Sequence, residues 1–207
     1  MMPEKKEIIV ADGEFCQMLH QGALEVLGET DLRILLVLSA LKTDNNNDPI
    51  WKPISIDQVN RFLTALVKKY GLLSTRGISQ LIGRAAFSSM RHTNKTIQEI
   101  GSIQRRLEPF SQRMLSGLRE YFEMLQEHIL IPITIIETTT GWQIEFNDDL
   151  KSGPACEVNA ISFFLKGMLQ EFLEWMDSRR NFKIEELDSA HKSSDICGLL
   201  IQVLLLD

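Results

Sequence analysis

The side chains with the richest chemistry in this 207-residue chain are three thiols, Cys16, Cys156 and Cys197, and four imidazoles, His20, His92, His128 and His191. Cys156, Cys197 and His191 could offer a metal two thiolates and a ring nitrogen if the fold made them converge. A structural zinc takes about four protein ligands, and an iron–sulfur cluster about four thiolates. The set falls short of both, so no cofactor is expected, zinc and iron–sulfur included. The two cysteines then read as small buried hydrophobes. Catalysis has still less to build on. The chain carries no G-x-S-x-G, H-E-x-x-H, Walker-type glycine loop or G-x-G-x-x-G, hence no nicotinamide or flavin fingerprint. Its histidines are scattered, and Glu185-Glu186 is accounted for by an exposed strand face. No residue is assigned a catalytic role.

Binding is the better-supported chemistry. Trp142, Phe146, Phe163, Phe164, Met168 and Phe172 crowd the C-terminal part of the chain and are the candidate ligand-binding residues. Methionine among aromatics suits an adaptable apolar pocket; the competing account is that these residues simply form the core. Two cations, Arg76 and Arg84, sit in an apolar helical stretch and need partners if buried. Glu137, after Ile135-Ile136, is the expected mate, in a structural ion pair tying the helical half to a sheet.

The elements that must position these groups follow from periodicity. Phe15–Leu27 is a helix closed by Gly28, with Thr30 opening the next and Leu32–Leu41 buried. Thr43–Pro49 (T-D-N-N-N-D-P) is turn chemistry, with Trp51 beside it. Ser55 starts a helix with Asp57 and Gln58 in a capping box, and Tyr70-Gly71 ends it. A helix follows over 75–91, in which Gly83 allows a close backbone approach. From Thr96 to Ile129 the pattern gives a helix start, a kink at Pro109 and a long amphipathic helix. After Pro132 come a strand at Ile133–Thr139, a hairpin tip at Thr140-Gly141 and a second strand at Trp142–Phe146. Last are a helix over Asn159–Met176, a strand from Phe182, a polar turn at Asp188–Asp195 and a buried strand at Gly198–Leu206. The expected class is α+β: a helical N-terminal half, then a small antiparallel sheet packed on a C-terminal helix. The chain divides into a helical region over 1–131 and an α+β unit over 132–207 within one compact domain.

Several of these residues resemble a known family. Gly167 in the helix, the I-E-E-L strand, the polar turn and Cys197 opening the last strand are similar to the 4-vinyl reductase domain, a hydrocarbon-binding module fold-related to TRAPP transport subunits. Y-G-L-L-S-T-R-G-I-S-Q-L-I-G-R-A-A-F (Tyr70–Phe87) and Ile135–Glu137 extend the resemblance upstream. Relatives carry more cysteines. Here Glu137–Trp142 reads E-T-T-T-G-W, Ser189 stands at a usual cysteine position, and only Cys156 and Cys197 of the set remain. The resemblance implies a non-enzymatic sensor or carrier for a small apolar ligand, acting by population shift. It also implies two alternatives: an accessory to tetrapyrrole vinyl-group reduction, or a TRAPP-like structural adaptor.

The charge balance, 22 Lys and Arg against 28 Asp and Glu for a net −6, argues against direct nucleic-acid binding. The start M-M-P-E-K-K-E has no signal-peptide core, and no apolar run is long enough to span a bilayer. A cytoplasmic location is expected. A homodimer through the Phe15–Leu41 helices or the Phe110–Ile129 helix is expected as well, with a partner protein also possible.

Overall fold

A computed structural model describes residues 9–39, 53–102, 107–129, 132–139, 141–147, 160–187 and 196–204. The Thr43–Pro49 turn, Trp51, Cys156 and the Asp188–Asp195 turn with His191 lie outside the described residues, as do the side chains of Phe146 and Cys197. The elements run β1 (Ile9–Ala11), α1 (Gly13–Leu38), β2 (Ile54–Ser55), α2 (Ile56–Tyr70), α3 (Leu72–Thr93), α4 (Lys95–Ile100), α5 (Phe110–His128), β3 (Ile133–Glu137), β4 (Gly141–Asn147), α6 (Ala160–Met176), β5 (Asn181–Leu187) and β6 (Ile196–Leu204).

Local chemistry sets the helix ends. The Asp12 carboxylate accepts the Phe15 N–H at 2.9 Å and opens α1. The Ser55 N–H donates to Gln58 Oε1 at 2.9 Å, the reciprocal arm of the expected capping box. Pro109 stands at the start of α5. Gly28, at φ 75°, leaves the helical path, so α1 is two rods joined at one glycine. Two expectations need correction. The N-terminal half is not wholly helical, because β1 and β2 pair antiparallel. The Leu32–Leu41 stretch is not buried all round: Leu32, Leu35 and Leu36 point inward, while Ile34, Val37 and Leu38 are exposed.

The C-terminal sheet has strand order β3-β4-β6-β5 with every neighbour antiparallel, which is the α+β architecture expected. Period-two alternation puts Trp142 and Ile144 of β4 opposite Ile201 and Leu199 of β6, all four buried. The β3–β4 pairing ends at Glu137↔Trp142, and the Thr138 N–H donates to the Gly141 carbonyl at 2.9 Å. The turn therefore closes between Thr138 and Gly141, with two residues at its tip as expected but one position earlier than Thr140-Gly141.

Three helices, α1, α3 and α6, stack through glycine. A Cβ on Gly22 of α1 would run into the Ile82 carbonyl oxygen of α3. One on Gly83 of α3 would meet the Phe164 carbonyl of α6, and one on Gly167 of α6 the Gln80 carbonyl of α3. Backbone lies against backbone at these crossings. The main core joins Phe15, Phe87 and Met90 to Met114, Leu118, Tyr121 and Leu125 of α5, Met168 and Phe172 of α6, and the sheet. It draws on both halves of the chain. A second core gathers Leu35, Leu63, Leu66, Ile82 and Phe164 under the later part of α1.

A polar clasp joins α1 to α5. His128 Nδ1 lies 2.8 Å from Asp12 Oδ2, the Asp12 N–H donates to the His128 carbonyl at 2.9 Å, and Ala11 bridges Ile129. Burial pulls the Asp12 carboxyl upward, but the Phe15 N–H and His128 outweigh it and hold it below its ordinary value. A depressed acid contributes stability that is complete above its unfolded pKa, about 3.9. That contribution is lost as pH falls through the lower folded value. Asp12→Asn keeps a capping side chain and loses the charge, so its acid unfolding should begin at lower pH relative to its own neutral plateau. Circular dichroism between pH 6 and 2 checks this, and superimposable normalised curves would remove the clasp from the acid response.

Candidate functional site

An aromatic cluster fills the space between α3, α5 and α6. The Tyr121 ring stacks on Phe172, with centroids 4.6 Å apart and an interplanar angle of 13°. Phe87 stands edge-on to both, at 5.8 Å from each. Amphipathic periodicity turns Tyr121 inward with Met114, Leu118 and Leu125. Its hydroxyl is buried without a hydrogen-bond partner among the described residues, and burial pushes the phenol far up, so it stays protonated. Trp142 Nε1, from the central strand pair, is likewise buried and unpartnered in the main core. Two polar hydrogens thus sit in apolar surroundings with no described group to receive them.

At one end of this core Phe110 lies near Trp142 and Phe182, and the Arg180 guanidinium covers its ring at 3.8 Å. Arg113, mostly buried, bonds Asp177 at 3.0 Å, and Arg180 lies 3.6 Å from the same carboxylate. Cationic groups therefore border the aromatic interior there.

The expected pocket residues divide. Trp142, Met168 and Phe172 share the main core, whereas Phe164 belongs to the second. Phe163 is buried beneath the Arg76 guanidinium, 5.5 Å from its ring centroid. The expected pairing of Arg84 with Glu137 is not formed. Arg84 instead bonds Glu171 and Glu174 of α6, at 2.8 and 2.6 Å, while Glu137 lies exposed on β3. The bridge joins helix to helix rather than helix to sheet. Glu185 pairs with Lys183 along β5 and Glu186 with Lys166 of α6, so the two acids point to opposite faces of the strand and each is taken up in an ion pair, rather than sharing one exposed face. Among the described residues no three His, Cys, Asp or Glu side chains gather to hold a metal ion. Cys16 is half-buried, its thiol pushed up to about 11 by burial and by the Asp12 charge. The apolar face of α5 is buried internally and is not available for the expected dimer contact. No helix among the described residues is long and apolar enough to cross a membrane.

Neither a family model nor a curated protein matches the sequence. Solved structures do match. An H-NOX protein from S. oneidensis, in an Fe(II)NO ligation state, superposes with a TM-score of 0.64 at 11% identity, covering 94% of this chain and 99% of that one. The Fe(II) unliganded H-NOX protein from K. algicida gives 0.61 at 8% identity, over 94% and 97%. A structure described as modulating heme redox potential through protein-induced porphyrin distortion gives 0.60 at 12%, over 93% of each chain. The fold is that of the H-NOX proteins.

The H-NOX fold overturns the resemblance to 4-vinyl reductase domains. The run Tyr70–Phe87 supplies α3 and its glycine crossing, and Gly167 supplies the opposite side of that crossing. Close-packed helices in any fold need such small residues, so these positions did not discriminate. The expectation of no cofactor falls on the same finding, since structures of the H-NOX fold are described with iron ligation states and heme.

Proposed function

We propose that this chain is a non-enzymatic sensor module that binds a small molecule in its main core, with haem as the cofactor class. The observation that carries the reading is the pair of orphan polar groups, Tyr121 Oη and Trp142 Nε1, inside an otherwise apolar interior. Each such group costs about 1–3 kcal/mol when left unsatisfied, and a ligand with matching atoms removes that penalty. The match to the H-NOX fold supports the cofactor class.

The residues present fit the group in their donor chemistry. The Tyr121 phenol and the Met114 and Met168 thioethers are among the interior donors of types that hold haem iron. Arg113 and Arg180 border the Phe110 end of the core, where carboxylate side groups would meet cations. Bound iron would supply a coordination site for a diatomic ligand of the kind held in the S. oneidensis protein. Because Tyr121 and Phe172 are in contact, a planar guest enters only by parting them, which moves α5 against α6 and shifts the population of helix arrangements.

Titrating the purified chain with hemin, followed by absorbance, tests this. Saturation at about one equivalent per chain with a shifted Soret band is expected. A featureless linear increase, as for free hemin, would sink the cofactor assignment. The closed ring stack favours a second reading, in which the same interior takes a smaller aromatic molecule. Indole would then raise the melting temperature, by the equivalent of about 2.7 kcal/mol at one hundred times its Kd, in a chain that ignores hemin.

A further inference from the structure

We infer that the outer edge of strand β3 pairs with the same edge of a second copy of this chain, about a two-fold axis at Ile135. Strand β3 ends the sheet order β3-β4-β6-β5, so among the described residues only one of its edges is bonded. The hairpin fixes which groups that edge uses. Thr138 donates its N–H to the Gly141 carbonyl, so in an antiparallel ladder Thr134 and Ile136 also bond to β4. Ile133, Ile135 and Glu137 then turn their N–H and C=O groups away from β4. A separate contact agrees: the Gln126 side-chain amide, on α5, reaches the Ile133 carbonyl at 3.4 Å. The backbone groups of Ile135 and Glu137 at this edge have no partner among the described residues. Folds commonly blunt such an edge with charge, proline or a bulge. The opposite edge strand is blunted: β5 carries Lys183, Glu185 and Glu186, the last tied to Lys166 of α6. Strand β3 reads I-T-I-I-E in unbroken register, with one charge at its end and Ile136 exposed.

An identical strand complements this edge, and charge selects the register. With the axis at Ile135, that residue faces its own symmetry mate, and Ile133 faces Glu137 of the second copy. All three outward positions then form narrow pairs, with about six hydrogen bonds in all. The Ile133 carbonyl keeps its Gln126 contact, since a carbonyl oxygen has two lone pairs. The two Glu137 carboxylates stand four residues apart along the strands, about 14 Å, beyond the screening length of about 8 Å in physiological salt. An axis at Ile136 would bring them to diagonal positions about 7–8 Å apart on one face, and an axis at Thr134 would leave Glu137 unpaired. The favoured register also covers the exposed Ile136, which faces Thr134 of the second copy and has the other Ile136 as its diagonal neighbour. Five residues a side fall short of a standard interface of about 1,600 Å², so the dimer forms in concentrated solution and separates on dilution.

The test combines sedimentation velocity with amide exchange read by NMR, on the whole chain over a range of concentrations. The sedimentation coefficient should rise with concentration toward that of a dimer. Over the same range the Ile135 and Glu137 amides should slow by at least about tenfold, while those of Thr134 and Ile136, already bonded to β4, stay slow throughout. Ile136→Lys sets two ammonium groups on the diagonal, and Glu137→Pro removes an outward N–H at an edge position that tolerates proline. Each should remain monomeric where the wild type is dimeric, with circular dichroism confirming the fold, and Lys183→Ala on the opposite edge should dimerise normally. A dimer that survives Ile136→Lys, or forms without slowing the Ile135 and Glu137 amides, would overturn the inference by placing the interface elsewhere. A monomer at every concentration would overturn it too. Slow Ile135 and Glu137 amides in that monomer would give the edge to another segment of the same chain, and fast ones would leave it open to a strand of a different protein.

Discussion

Phe172→Ala is expected to destabilise the chain by about 3–5 kcal/mol, the usual range for removing a buried phenyl ring. The ring is fully buried, stacks on Tyr121, stands perpendicular to Phe87 and tilts against Trp175. Each aromatic pair adds about 0.5–1.5 kcal/mol beyond area burial, which places the loss toward the top of that range. Against a total stability of about 5–15 kcal/mol this is a large fraction. Urea unfolding followed by circular dichroism measures it. A loss below about 1 kcal/mol would mean that the ring contributes little to a closed interior. The void left beside Tyr121 is lined by apolar side chains, so it should stay dry and take up benzene or indole. Added indole should then recover part of the lost midpoint in the variant and less in the parent.

The second large effect is at the helix crossings. Gly83→Ala and Gly167→Ala each drive a methyl into a backbone carbonyl, of Phe164 and Gln80 respectively, and a carbonyl in a helix cannot swing aside. Overpacking of this kind costs about 1–3 kcal/mol or more. Both substitutions act on one α3–α6 contact. Once the first has pushed the helices apart the second finds room, so the double variant should lose less than the sum of the singles. Gly77 is the control. It lies in α3 with open space where a methyl would go, so Gly77→Ala should stabilise by up to about 1 kcal/mol through helix propensity. Strict additivity of the Gly83 and Gly167 losses, or a Gly77→Ala loss as large as theirs, would contradict the backbone-on-backbone crossing.

What could be read from the sequence was whatever has a local cause. Ser55 with Gln58, Pro109, Gly28 and the apolar stripes mark helices whose bounds the structure reproduces closely. Alternation marked the strands of the four-stranded sheet. The β1–β2 pair went unread because strands of three and two residues are too short to carry a period. The partner of Arg84 went unread for a different reason. Nothing local separates Glu137 from Glu171, and the choice is made by α6 crossing α3 at Gly83. Tyr121 was hidden by its own regularity, one more inward position on an amphipathic helix. Its signal was chemical: a hydroxyl on a stripe otherwise made of Met, Leu and Phe. The family resemblance failed because glycines and apolar alternation report packing, and unrelated folds share packing solutions.

The glycine crossings also determine how the molecule moves. Where side chains separate two helices, a displacement of one is partly absorbed by rotamers before it reaches the other. At Gly22, Gly83 and Gly167 there is no such cushion, so α1, α3 and α6 travel as a keyed block. Helix α5 meets that block through rings, which can slide, and hangs from the start of α1 by the Asp12–His128 link. Its other end is pinned as well, by the Arg113–Asp177 bond and by the Arg180 guanidinium over Phe110, so the middle of α5, where rings meet rings, is the part left to yield. Any occupant of the aromatic interior bears on that middle stretch.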